Sequence, residues 1–308
     1  MDFRTCIEQE KIVLMEGALG ERLKREYGLT FDPIVAMAKL IYEEKSAAAL
    51  TALWNGYIDI ARRHHLPFLA ATPTRRANRE RAAEAGCTGQ LLHDNVRFLR
   101  NIQQSSGIPM YVGGLMGCRG DAYTGADALN ESDARAFHSW QADRFREAGA
   151  DYLYAGIMPT LPEAAGMAQA MAQTGLPYLI SFTIQADGCL IDSTPIADAI
   201  RYIDAAANVP PVCYMTNCVH PRIVRQALAQ PCNNDPVVRS RFRGLQANTS
   251  PLSYTELDGA KDLLSSSPPV FAAEMLRLHR EHPLTIWGGC CGTDHRHLEQ
   301  LAKKLTQT

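Results

Sequence analysis

The sequence lacks a dominant charge: 31 lysines and arginines face 33 aspartates and glutamates, a formal net charge of -2 over 308 residues. So balanced a chain has no field to gather nucleic acid or an anionic membrane, and a small or weakly charged ligand is the expected partner. Long apolar runs are missing as well. AAALTALW (47–54) and LPYLISFTI (176–184) fall well short of the roughly 20 residues of a membrane helix. The first residues, MDFRTCIEQEKIVL, carry charge from the second position onward and show no basic start, apolar stretch and small-residue cleavage site, so a cytoplasmic location is expected. No composition shift or Pro/Gly/Ser linker divides the chain, and one domain over residues 1–308 is expected. A disulfide framework is excluded too. Nine cysteines is an odd number, and without a secretory signal it favours thiols kept for metal or chemistry.

What is present is the composition of an ordinary folded protein, 46% hydrophobic and 21% charged, arranged in a repeating pattern. Short apolar runs recur at 12–15, 67–71, 109–115, 151–158, 177–184, 210–218, 241–247 and 285–292. They are nearly continuous in apolar residues rather than alternating, as strands buried on both faces are. Amphipathic helical patterns lie between them, for example at 133–148, 162–173, 195–207 and 295–305, and SSSPP (265–269) sits inside a strand-to-helix connection. Eight such strands with right-handed crossovers close most economically into a single (β/α)₈ TIM-type barrel of the α/β class, a doubly wound sheet being the alternative. In a barrel the chemistry sits at the C-terminal strand ends.

Three cysteines fall at those ends: Cys218 after the sixth strand, and the neighbours Cys290 and Cys291 after the eighth, inside GGCCGT. Adjacent residues on a regular strand point to opposite faces, so two neighbouring thiolates reach one metal only where the backbone is irregular. Gly288, Gly289 and Gly292 supply that freedom. Three protein thiolates with one exchangeable position make the catalytic arrangement of zinc, and a thiol bound at that position would be held as a nucleophilic thiolate. The plain alternative, that a cysteine is merely core, is the expectation for Cys6, Cys87, Cys118, Cys189, Cys213 and Cys232. A vicinal disulfide at Cys290 and Cys291 is disfavoured by its geometry.

At GGCCGT (288–293) and TNCVHP (216–221) the sequence resembles the homocysteine S-methyltransferase family. LMEGALGERL (14–23), VGGLMG (112–117), AGADYLYAGIMPTLPEA (148–164), SFTIQADGCLIDSTP (181–195) and GLQANTSPLSY (244–254) follow in the family's order, so the resemblance covers nearly the whole chain. It implies a barrel that binds Zn²⁺ through Cys218, Cys290 and Cys291, moves a methyl group to a small-molecule thiol, and serves methionine biosynthesis. The preferred donor is S-methylmethionine or S-adenosylmethionine, because nothing resembles the long C-terminal extension of betaine-using relatives.

Three departures fall where substrate should sit. Glu16 stands where the family usually has an aspartate; Gly156 stands where it usually has a glutamate suited to the amino group of homocysteine; and Arg75, in TPTRRAN, stands where it tends to have an aromatic residue. Losing a carboxylate at an ammonium contact removes about 1.5–3 kcal/mol. Arg75 could add a base to the pocket, or belong with Arg76, Arg79 and Arg81 to a solvated face. Thr72, Thr74, Ser181 and Asn248 could hydrogen-bond an acceptor's carboxylate, or serve as turn and capping residues. Asn217 could orient Cys218, His220 or His297 could be a fourth ligand, and Asp187-Gly188 reads as a turn. The rival functions are a zinc or thiol-binding protein without transfer activity and a zinc hydrolase, the latter disfavoured because a three-thiolate zinc is a weak Lewis acid.

Overall fold

The eight apolar runs are buried over most of their length because each becomes a parallel strand covered on both faces. In a computed structural model describing residues 1–252 and 265–307, they are β1 Val13–Met15, β2 Phe68–Ala71, β3 Met110–Met116, β4 Tyr152–Met158, β5 Tyr178–Phe182, β6 Cys213–Val219, β7 Phe242–Ala247 and β8 Ile286–Gly289. Each pairs in parallel with the next in sequence, and β1 pairs with β8, so the sheet closes as the expected (β/α)₈ barrel. The eighth strand is shorter than its apolar pattern. It stops at Gly289, since the following residues turn back on themselves, Thr293 donating from its N–H to Cys290 O at 3.1 Å.

Around the barrel run α1 Phe3–Gln9, α2 Gly20–Tyr27, α3 Glu44–Arg63, α4 Arg79–Glu84, α5 Gln90–Ser106, α6 Glu131–Glu147, α7 Leu161–Ala172, α8 Ile196–Ala206, α9 Pro221–Leu228, α10 Pro236–Arg241, α11 Pro268–Glu281 and α12 His295–Thr306. Their starts carry ordinary caps: Asn78, Asn130 and Asp294 accept backbone N–H groups of the first turns of α4, α6 and α12. The serines of the SSSPP segment lead up to α11, Ser267 being the residue that precedes it, and the two prolines are the helix's first positions. Among the described residues no helix is long and apolar enough to cross a membrane.

Two cores result. The larger lies between strands and helices, and the smaller fills the barrel itself with Met15, Leu69, Tyr152, Tyr154, Leu179 and Met215 among others. Helix α1 closes the N-terminal end of that interior. Phe3 stacks on Tyr152 with ring centroids 4.3 Å apart and meets Tyr111 edge-on at 5.8 Å, while Cys6 and Ile7 pack into the same cluster. One end of the barrel is thereby sealed with apolar side chains, and the chemistry has only the other.

Candidate active site

At the C-terminal end the strands become irregular where cysteines stand. The β6–β7 register slips between Asn217 and Val219, and Cys218 between them adopts φ 61°. A residue with a Cβ pays about 1–3 kcal/mol for that left-handed conformation, so the surroundings must hold it. Beyond β8, Cys290 donates its N–H to Ala247 O at 2.7 Å and Cys291 O accepts from Thr249 N at 3.2 Å. Gly292, at φ 81°, donates to Glu21 Oε2 at 2.7 Å. A Cβ on Gly292 would overlap Thr249 Oγ1 and one on Gly289 would overlap the Thr293 side chain, so both glycines are needed for the turn to close.

The result is a cluster of three sulfurs. Cys218 Sγ lies 3.6 Å from Cys291 Sγ, and the sulfurs of Cys218, Cys290 and Cys291 all fall within 4.8 Å of one another. Two zinc–thiolate bonds of about 2.3 Å at a tetrahedral angle place their sulfurs about 3.8 Å apart, so the donor set fits such an ion in both chemistry and spacing. The thiols titrate as a set. Cys218 is held well below the ordinary thiol range, first because Cys290 and Cys291 donate hydrogen bonds to it, and Cys290 and Cys291 are raised by giving those bonds. Tyr123, from the loop between β3 and α6, is a further hydrogen-bond partner of Cys218.

Tyr123 also lines two cavities. One, about 200 Å³, is walled by Arg75, Arg76, Arg81, Asp121 and Gly156; the other, about 390 Å³, reaches Cys218 and is walled chiefly by Ile184, Ile191, Val219, Ile223 and Leu252. Arg75 thus lines a cavity while it also stays exposed to solvent, as Arg76 and Arg79 do. Its carbonyl accepts from Gly117 N at 3.1 Å, and a Cβ on Gly117 would strike the Arg75 Cγ at 2.7 Å, so the base of the Arg75 side chain lies against a glycine. Burial works to lower the guanidinium's proton affinity, and Tyr123, Cys218, Cys118 and Cys290 together raise it further.

The other sequence-predicted residues divide. Glu16, the residue after β1, is only 5% exposed, its two carboxyl oxygens each 3.3 Å from Ala71 N, and burial pushes its pKa up to about 8. Ser181 donates to Asn217 Oδ1 at 2.6 Å, and the Tyr154 hydroxyl lies 3.3 Å from the same oxygen and 2.9 Å from Gln246 Oε1. This chain braces the strand before Cys218. Asn248 accepts from Ser250 N at 3.0 Å and so shapes its own turn. Thr72 and Thr74 do not face substrate space: both are fully buried, 2.7 Å apart, bonded to Leu115 N at 3.1 Å and Leu115 O at 2.8 Å, and they sew β2 to β3.

Neither histidine joins the cysteines. His220 caps α9 by accepting from Arg222 N, and His297 is held between Asp294 and Ser266 O at the start of α12. Asp187-Gly188 is a turn as expected, with Gly188 at φ 87°. Of the cysteines expected in the core, Cys6, Cys118 and Cys213 are buried; Cys87 and Cys189 are only half-buried; Cys232 is exposed, since it sits on a surface turn at Pro231–Asn233. Tyr123, Tyr154 and Gln246 were not picked out by the pattern. Gln246 stands at a strand end and could have been; Tyr123 stands in a loop without periodicity. Ser253 and Tyr254, the last two residues of the GLQANTSPLSY motif, lie outside the described residues.

A (β/α)₈ barrel with three cysteines close enough together at its C-terminal face to hold a metal is the class of protein that fold and site define. The model of the homocysteine S-methyltransferase family matches residues 13–305, and the chain belongs to that family of methyltransferases. Crystal structures of the homocysteine methyltransferase MmuM from Escherichia coli share the fold. Its metallated form superposes with a TM-score of 0.75 at 19% identity, covering 98% of this chain and 99% of that one. The oxidized form gives 0.76 at 19% and the apo form 0.67 at 18%, each covering 98% of both chains. A search of the curated proteins finds no match. Of the functions weighed from sequence, methyl transfer is the one the family supports.

Proposed function

We propose that this protein transfers a methyl group from a sulfonium donor, S-methylmethionine or S-adenosylmethionine, to homocysteine or a related thiol. The observation that carries the reading is the set of three sulfurs within 4.8 Å, built from two strand ends that are distorted to bring them together. Cys218, Cys290 and Cys291 would hold a zinc ion, which when bound supplies a position for the acceptor thiol and the charge that keeps it deprotonated.

The chain's other residues position and exclude. Tyr123 and the Ser181, Asn217, Tyr154 and Gln246 chain fix Cys218 in its unfavourable backbone conformation. The apolar cavity beside Cys218 suits the donor, whose alkyl groups displace water from Ile184, Ile191 and Ile223 while its sulfonium meets the Tyr123 face. Transfer needs the acceptor sulfur, the methyl carbon and the donor sulfur in line. The departing thioether is neutral and takes no proton, so no general acid is required.

The test is zinc content of protein purified under reducing conditions, with and without Cys290→Ala, together with methyl transfer from S-methylmethionine to a panel of thiols. The expected result is about one zinc per chain, lost in the variant along with turnover. Protein that carries no zinc, or that transfers equally well in the variant, would overturn the reading.

A further inference from the structure

The cavity beside Gly156 collects positive charge. Arg75, Arg76 and Arg81 all line it, and among the described residues none of them has a carboxylate within ion-pair distance. Neighbouring charges are otherwise committed. Arg119 pairs with Glu80 at 3.6 Å, and its carbonyl accepts from Arg81 Nη2 at 3.2 Å. Asp121, the one acid of the lining, uses Oδ1 for the backbone N–H groups of Tyr123 and Thr124 and the Thr124 hydroxyl, so it holds the loop in shape. Gly156 contributes no side chain, and that wall offers no acid. Three guanidiniums gathered around one carboxylate leave an excess of positive charge that favours an anion.

The same charges sort the two substrates. A sulfonium is repelled from this cavity and accepted by the apolar one across Tyr123, so the guanidinium side is left to the acceptor. A bare carboxylate there gains charge-assisted hydrogen bonds, whereas an ammonium beside it meets three like charges against the single carboxylate of Asp121, whose Oδ1 is already taken by the loop.

We propose that Arg75, Arg76 and Arg81 form an anion subsite, and that the acceptor is a thiol acid without an α-ammonium group rather than an amino acid thiol. The proposal rests on the methyl-transfer reading for what the ligand does, though not for whether it binds. The 200 Å³ volume suits a short-chain acid.

Binding of product-like thioethers tests it without turnover. Calorimetry compares methionine, 4-(methylthio)butanoate, which is methionine without its amino group, and the uncharged 3-(methylthio)propanol. In the wild type the des-amino acid should bind about 10- to 150-fold tighter than the alcohol, the range of one charge-assisted hydrogen bond, and tighter than methionine. Arg75→Gln should remove at least tenfold of that advantage, and Gly156→Glu should shift preference back toward methionine. A Cβ at Gly156 comes within 3.0 Å of Leu115 Cδ1, a contact that a side-chain rotation relieves. If Arg75→Gln folds poorly, Arg76→Gln carries the same expectation.

Methionine binding as tightly as the des-amino acid, binding of neither, or an acid affinity unmoved by the arginine variants would overturn the subsite. Turnover of 4-mercaptobutanoate and homocysteine, measured in parallel, separates the two readings. An intact preference for the acid with no methylation of any thiol removes transfer and keeps the subsite; efficient methylation of homocysteine with methionine preferred does the reverse.

Discussion

Cys213 and Cys218 stand at opposite ends of β6, yet they belong to different regions of the barrel. Cys213 lies at the sealed end among Val212, Met215 and Leu179, and burial alone pushes its thiol up to about 12. Cys218 lies at the open end, out of register with its neighbour strand, and its thiol is drawn down by two others in contact with it. Burial in a regular strand makes a thiol an inert packing atom. Irregular backbone and other thiols at contact distance make the same group a ligand, so position along the strand, more than residue type, decides the role.

The sharpest way to break that comparison is to change each thiol to a hydroxyl. Cys218→Ser should empty the metal site and lower turnover by more than the roughly 10- to 100-fold that outer partners of a metal ligand control. Cys213→Ser should keep metal and turnover but lose about 1–3 kcal/mol of stability, since the new hydroxyl is buried among apolar side chains. Metal analysis, turnover and urea midpoints on both variants decide it. Equal metal loss in the two would mean the ends of β6 are not independent.

The sealed end is probed next by Phe3→Ala. Phe3 is 2% exposed and packs on both Tyr152 and Tyr111, so its removal opens a cavity and should cost about 3–5 kcal/mol. Turnover of the protein that remains folded should not change, because the plug touches no residue of the C-terminal face. A thermal melt and a rate measurement at a temperature well below the transition check both halves. Loss of rate without loss of stability would contradict the division of the barrel into a structural and a chemical end.

The two ends were not equally legible in the sequence. Strands buried on both faces write continuous apolar runs, which is why all eight appear within a few residues of where they form. The cysteine cluster was legible because glycines around two adjacent thiols have no packing use. The plug was not, since α1 offers only Phe3, Cys6 and Ile7, a single turn's worth of pattern. Tyr123 was hidden for a different reason. Its loop is held from a distance by Glu163 on α7, which accepts from Arg119 N at 2.7 Å and Leu129 N at 3.4 Å, and no local pattern encodes such a clamp. Thr72 and Thr74 misled because a hydroxyl at a strand end looks the same whether it meets a ligand or the next strand.

Glu16 stands at the boundary between the two regions, and it yields the smallest and most specific effect. Its carboxyl is buried beside Tyr152 and Tyr154 and has the Ala71 N–H as its one backbone donor besides its own, so the folded protein keeps it protonated up to about pH 8 against an ordinary value of 4.5. The unfolded chain releases that proton earlier. Its contribution to stability is therefore whole below pH 4.5 and falls as pH rises toward the folded value. Between roughly pH 6 and 7.5 the slope is about 1.4 kcal/mol per pH unit, or about 2 kcal/mol in all. Glu16→Gln has no proton to lose and should be flat over that interval wherever the wild type declines, so the difference between their urea midpoints isolates this one group. If the two curves run parallel, Glu16 is ionised in the fold, and the barrel's polar boundary lies deeper than the residue after β1.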